Sequence, residues 1–371
     1  MDFTYTSEQD LLRDSAERFA TKGYGFDKYK ASLEVPGQCD TAVWGQFAEF
    51  GWLALGVPEA AGGIGGSTLD LALIGEALGA GMVIEPFVTG LVLPAAALAR
   101  DAKQADLLGQ AASGDAQLAL AYAERAGRFD PAFCETRAEA SGKDFKLSGS
   151  KHCVFNAPNA THLVVSARVS GVAGDAKGIE LFVVPRETAG VKLVAYPVLG
   201  GGSAADVTLE GVVVDASAKV DGGFEALDAA LDRATAVACA QALGGMRALL
   251  ERTVAYLRQR KQFGVPIGTF QVLQHRVVDM QVEVEQTRSM VLMAAVKADS
   301  PSAQERRRAV SAAKAYVGKA SKFVAQQAVQ LHGGIGVTEE LDVGHYFRQL
   351  TAFGTKFGDR DYHLGRFAAS E

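Results

Sequence analysis

Periodicity switches twice along this chain, and the switches limit what it can fold into. Residues 1–115 place apolar side chains at helical spacing. Residues 117–215 break instead into short β-type runs, at 117–123, 145–155, 162–167, 179–184, 191–196 and 207–214, with glycine-bearing turns between them. From Phe224 the helical pattern returns and persists, over about 225–260, 271–298 and 304–331, with a shorter piece to 348. Strands segregated between helical blocks predict an α+β protein, not alternating β-α units. Three domains are expected: 1–116 helical, 117–222 an antiparallel, barrel-like β domain, and 223–371 a four-helix bundle of long antiparallel helices. A chain of 371 residues suffices for two or three such cores.

Local signals refine the helical blocks. Thr6-Ser7-Glu8-Gln9 has capping-box spacing and opens a helix with Leu11, Leu12, Ala16 and Phe19 as apolar positions. Val43, Trp44, Phe47 and Phe50 share one face of a helix over 41–51, and a further helix covers 69–79. Between them, the glycine-rich stretch 58–66 interrupts the pattern.

Composition narrows the function. The net charge is -6, whereas a general nucleic-acid or membrane-surface binder carries a basic excess. Cys39, Cys134, Cys153 and Cys239 show no CxxC spacing, as expected of thiols in a reducing compartment. The six histidines show no metal-ligand spacing, so no metal site is expected. No basic segment followed by an apolar run opens the chain. Its longest apolar stretch, near 90–98, falls short of the roughly 20 residues a membrane span needs. A soluble, cytoplasmic protein with no membrane partner is expected.

Two glycine clusters suggest phosphate loops. Gly62-Gly-Ile-Gly-Gly66 follows a helical region and lacks the later acidic residue of a dinucleotide fingerprint, so alone it reads as a turn. Gly333-Gly-Ile-Gly336 ends a long helix, where glycine is expected as a cap. In combination with their neighbours, the motifs are more specific. The run from Tyr256 through Arg260, Phe263, Gly264, Ile267 and Phe270 to Gln271 joins two helices, and Gln330-Leu-His-Gly333-Gly334-Ile-Gly336 follows later. Both resemble signatures of acyl-CoA dehydrogenases (R-x-x-F-G-x-x-I-x-x-x-Q and Q-x-x-G-G-x-G), and the helical, β, helical order resembles that family along the whole chain. Within it, the chain is similar to the small subunits of pimeloyl-CoA dehydrogenases and to subunits of heteromeric steroid-type enzymes.

The resemblance implies an FAD-dependent α,β-desaturation of an acyl-CoA thioester, with an electron-transfer flavoprotein as acceptor. A carboxylate takes the α-proton while the flavin accepts hydride from the β-carbon. Such a general base typically contributes about 10²–10⁴-fold. Family motifs assign Arg260, Phe263, Gln271, Gln330, Gly333 and Gly334 to the FAD of the neighbouring subunit.

Departures from the family pattern fall elsewhere. The Glu-Gly-Thr triplet that carries the base becomes Phe357-Gly358-Asp359; the other candidate match, Phe353-Gly354-Thr355, also has phenylalanine in the Glu position. A minority branch places the base on an earlier helix, just before a family arginine. That position is Asp232, followed by Arg233, which makes Asp232 the candidate catalytic residue; its bland alternative is a helix-surface or first-turn acid. The segment resembling T-E-P-G-A-G-S-D loses its terminal hydroxyls to Ala123 and Phe129. In the strand resembling G-x-K-x-W-I-T-N-G, Cys153 replaces the tryptophan and Phe155 the threonine. By the resemblance, the replaced positions serve a subunit's own flavin, and the retained ones its neighbour's. The expectation is a supporting subunit paired with a larger homologous subunit. The rivals are a self-sufficient homo-oligomer using Asp232, and a family member repurposed as a flavin monooxygenase or non-catalytic binder.

Overall fold

The computed structural model describes residues 4–35 and 37–370. Helices α1 (Ser7–Arg18), α2 (Gly25–Glu34), α3 (Thr41–Glu49), α4 (Trp52–Leu55), α5 (Thr68–Ala80), α6 (Leu93–Leu98) and α7 (Ala105–Ser113) come first. Strands β1 (Leu118–Ala121), β2 (Arg137–Ser141), β3 (Asp144–Phe155), β4 (His162–Arg168), β5 (Ile179–Pro185), β6 (Val191–Pro197), β7 (Ser203–Val214) and β8 (Lys219–Val220) follow. Helix α8 (Gly223–Gln259) leads into a hairpin of β9 (Lys261–Gln262) and β10 (Val265–Pro266). Then come α9 (Gln271–Ala298), α10 (Ala303–His332), α11 (Asp342–Phe353) and α12 (Arg360–Ala368). The predicted capping box is formed: Thr6 Oγ accepts from the Gln9 amide at 3.2 Å, and Gln9 Oε1 accepts from the Thr6 amide at 3.2 Å. Leu11 corrects the expected apolar face, because its side chain is 71% exposed.

The chain forms two compact units. One gathers the segment up to Ala31, Thr68–Val83 and the chain from Thr235 onward. Its core is built from small side chains that let helices approach closely. Ala236 of α8, Ala294 and Ala298 of α9, and Val310 and Ala313 of α10 form one buried cluster. Between α5 and α8 the backbones themselves touch. A Cβ on Gly79 would lie 1.9 Å from the Gln241 carbonyl oxygen, and one on Gly244 would lie 1.8 Å from that of Glu76. Only glycine permits this crossing. Helices α11 and α12 pack on α10.

The second unit comprises Ser32–Ser67 and Ile84–Ala234. Its sheet runs in the order β6-β7-β3-β2-β4-β5-β8, with β1 beside β4. Most pairings are antiparallel, but β1–β4 and the single β2–β4 pair, Arg137 with Arg168, are parallel. The sheet does not close into a barrel among the described residues. Strand β7 alternates over 207–210, with Val207 and Leu209 in the core and Thr208 and Glu210 away from it; a register shift against β3 then brings Val212 back into the core. Arg168 is buried beside β2. Its guanidinium donates to the carbonyls of Ala132, Cys134, Ser170, Asp175 and Lys177, which offsets the cost of burying its charge. The glycine run 62–66 is a turn folded onto residues 54–57. A Cβ on Gly63 would lie 2.0 Å from the Val57 carbonyl oxygen, so close backbone packing accounts for that glycine.

Candidate functional site

In the first unit, α8 ends on a hairpin that holds a phenylalanine away from the protein. Lys261 and Gln262 pair with Pro266 and Val265, leaving Phe263 and Gly264 as the two-residue loop. Both loop residues have positive φ, 56° and 83°, as a type I′ turn demands. A bulky residue there is uncommon and strained, and strain of this kind clusters at functional positions. Phe263 is 91% exposed, and its ring meets that of Phe270 edge-on at 6.1 Å between ring centres. The Ile267 amide donates back to the Arg260 carbonyl at 2.8 Å and closes the loop.

Helix α10 ends beside it. The rings of Tyr256 and His332 stack with centroids 4.5 Å apart, and the Tyr256 hydroxyl donates to the His332 carbonyl at 3.3 Å. Arg276 of α9 donates to the Gln327 side chain of α10 at 3.0 Å. Gly333, at φ 65°, then turns the chain into a short helical turn, Gly333–Val337. These contacts gather the ends of α8 and α10 and the start of α9. All the residues assigned by motif to a neighbour's FAD lie on these ends: Arg260, Phe263, Gln271, Gln330, Gly333 and Gly334, every one exposed. Among the described residues no carboxylate pairs with Arg260. Val272 and Val278 of α9 and Val337 after α10 are also exposed, at 64%, 58% and 70%.

The second unit holds the other motif. Lys151 is buried and its ammonium lies 2.7 Å from Glu124, which also accepts from the amides of Glu135 and Thr136 and the Thr136 hydroxyl. Burial pushes the Glu124 carboxyl up, but Lys151 and these donors outweigh it and hold it below its ordinary range. The scaffold that ties segment 123–130 to β3 is therefore intact. The positions beside it differ. A bulge between Lys151 and Val154 puts Cys153 at φ 52°. The Cys153 amide donates to Asp206 Oδ1 at 3.2 Å, the Tyr196 hydroxyl donates to the same oxygen at 2.8 Å, and His152 Nδ1 lies 2.7 Å from it. Burial raises the Asp206 pKa, while the Cys153 amide, Tyr196 and His152 lower it and prevail. Sequence reasoning missed this cluster. Its one signal was Asp206, an acid that follows two alanines and precedes the apolar alternation of β7.

Asp232 is placed differently from its bland alternative. It lies in the third turn of α8, not the first, and is 1% exposed, so it is neither a surface acid nor a helix-end acid. Its neighbour Arg233 donates to the Gly66 carbonyl at 2.5 Å. In the first unit, Phe357 is buried with φ 59°, and Asp359 accepts from the Tyr362 amide at 2.9 Å, capping α12.

Comparison with known proteins places these features. Three family models match consecutive segments: the N-terminal domain of acyl-CoA dehydrogenases over residues 6–115, the middle domain over 119–212 and the C-terminal domain over 221–370. The chain belongs to the acyl-CoA dehydrogenase family. It is 30% identical over 362 residues to the probable acyl-CoA dehydrogenase YngJ of Bacillus subtilis, covering 94% of this chain and 93% of that one. The ChsE4–ChsE5 complex of Mycobacterium tuberculosis contains a chain of the same fold, with TM-score 0.90 and 27% identity over 100% of this chain and 98% of that one. The steroid acyl-CoA dehydrogenase variant Tcur3481–Tcur3483 gives 0.88 and 28%, over 98% and 97%.

As a member of the acyl-CoA dehydrogenase family, the chain is an oxidoreductase of CH–CH bonds with FAD as its cofactor. The donor set tests where FAD fits. Arg260, with no competing carboxylate among the described residues, and the exposed amides of Gln271 and Gln330 suit a pyrophosphate and a nucleoside. Around β3 the fit is poor: Ala123, Phe129 and Phe155 offer no side-chain donor, and the Cys153 amide is already given to Asp206. No helix among the described residues is long and apolar enough to cross a membrane.

Proposed function

We propose that this chain is the supporting subunit of a heteromeric, FAD-dependent acyl-CoA dehydrogenase, and that its larger homologous partner holds the catalytic base. The observation that carries this reading is the division between two sets of residues. Arg260, Phe263, Gln271, Gln330, Gly333 and Gly334 are retained and face outward from one end of the helical unit. The family's own-flavin positions are replaced by Ala123, Phe129, Cys153 and Phe155, and its usual base by the buried Phe357. In this reading Arg260 binds the pyrophosphate of the partner's FAD and Phe263 packs against its adenine. Gln271, Gln330 and the backbone at Gly333 and Gly334 bind its adenosine and pyrophosphate. Segments 1–116, 117–222 and 223–371 act as the three domains. An acyl-CoA thioester is the substrate, and an electron-transfer flavoprotein takes the electrons. Support comes from the similarity to ChsE4–ChsE5, a two-protein complex.

A second reading has one observation in its favour. Asp232 is a carboxylate buried on α8, at the position where the family's minority branch carries its base. In that reading the chain works alone, as a homo-oligomer. Purifying the chain alone and together with a larger homologous subunit separates the two. A colourless chain that acquires flavin only in the complex supports the supporting role. A yellow chain that is reduced by acyl-CoA on its own contradicts it.

A further inference from the structure

A buried polar network surrounds the turn between α11 and α12, and no part of the proposed FAD contacts uses it. Lys314 of α10 is fully buried. Its ammonium donates to the Gly358 carbonyl at 2.7 Å and the Gly354 carbonyl at 3.4 Å, and lies 4.5 Å from the centre of the Phe353 ring. Burial pulls its pKa down to about 8, while Cys239 and Asp359 pull it upward.

His363 holds the next carbonyl. Its Nε2 lies 3.0 Å from the Phe357 carbonyl oxygen, which can only accept, so Nε2 carries the proton. Nδ1 is then the acceptor and takes the Ser311 hydroxyl at 3.3 Å. Arg366 donates to that same hydroxyl oxygen at 3.2 Å. The network runs from Arg366 through Ser311 and His363 to the carbonyl of residue 357, and from Lys314 to that of residue 358.

Two backbone features show how tightly this turn is specified. Phe357 sits at φ 59°, a strained left-handed conformation that persists only where the surroundings over-determine it. Gly358 has φ 115°, and a Cβ there would lie 2.5 Å from the Tyr362 ring and 2.7 Å from His363 Nε2. Lysine, histidine and glycine together determine one geometry for the residue between them.

We propose that Lys314, Ser311 and His363 form a mount that fixes residue 357 in one place, with Lys314 as its principal positioning residue. In this chain the mounted group is an aromatic ring, so Phe357 acts as a rigid apolar wall rather than as filler. That significance rests on the reading of position 357 as the family's base position. The mount itself rests on the contacts alone.

The test places 4-fluorophenylalanine at position 357 of the full chain and reads its fluorine resonance. A second chain carries the label at Phe323, on the same helix as Lys314. The mount predicts one sharp, displaced signal at 357. Lys314→Met should broaden it or move it toward the free amino acid, and speed exchange of the amides at 354–358 by roughly tenfold, the scale of a lost buried hydrogen bond. The signal at 323 should stay. Ser311→Ala, a smaller change, should move the 357 signal the same way. A 357 signal unmoved in both variants overturns the mount, as does a shift shared equally by the label at 323. Neither result bears on whether the chain holds its own flavin.

Discussion

Tyr256 stacks on His332 at 4.5 Å and donates its hydroxyl to the His332 carbonyl, so the last turn of α8 and the last turn of α10 are held as one surface. Arg260 lies one helical turn beyond Tyr256, and Gly333 immediately follows His332. The two family motifs are far apart in sequence, and this contact makes them neighbours.

Tyr256→Ala should therefore weaken FAD retention by the assembled complex without touching the cofactor. The expected loss is smaller than that from removing Arg260, because the motif residues remain but their relative placement loosens. Flavin-to-protein ratios after gel filtration measure it. Retention equal to wild type would show that the stacked pair does not organise the site.

Arg260→Ala removes the cation. A hydrogen bond to a charged group is worth about 1.5–3 kcal/mol, so FAD affinity of the complex should fall by about 10–100-fold. Arg260→Lys should restore part of this, since it keeps the charge but loses the planar fork. Titration of the apo complex with FAD checks both variants.

Asp232→Asn tests the buried acid. The swap keeps size and hydrogen-bonding capacity while removing a base. If Asp232 took the α-proton, turnover of the complex would fall by about 10²–10⁴-fold with flavin retained. The expected result is near-normal turnover, with any effect appearing as lowered thermal stability, because the side chain is buried.

Acid sensitivity should trace to His363. Burial first, and then the Lys314 and Arg366 charges, push its pKa down from the ordinary 6.5 to about 3, against the pull of the Phe357 carbonyl. Between those values the unfolded chain binds a proton that the folded chain refuses. The stabilising contribution is thus complete above the ordinary histidine pKa and is lost as pH falls toward the folded value. Denaturant midpoints at several pH values should drop across this window, and drop less steeply in His363→Gln. Equal slopes would contradict the assignment.

Much of this was legible in the sequence, for physical reasons that also explain the rest. The helix–strand–helix order followed from apolar period, and the Thr6 cap from two residues three apart. Leu11 misled because periodicity names a face but not its partner; its side chain is 71% exposed. The middle sheet was legible as a β unit, but that its edges stay open was not, because strand count does not fix which edges pair. Asp232 was legible as a candidate base but its burial was not, because burial on a long helix depends on what packs over it. The Asp206 cluster joins β3, β6 and β7, and the Lys314 network joins α10 to a turn some forty residues later, so neither leaves a local pattern. The glycines at 79 and 244 likewise gave no signal until two backbones met.

The flavin content of the purified chain, alone and with its larger homologue, tests the central claim most directly. The account predicts a colourless chain alone and a complex carrying one FAD per heterodimer, reduced on adding acyl-CoA. A chain that binds FAD stoichiometrically by itself and is bleached by acyl-CoA would contradict it.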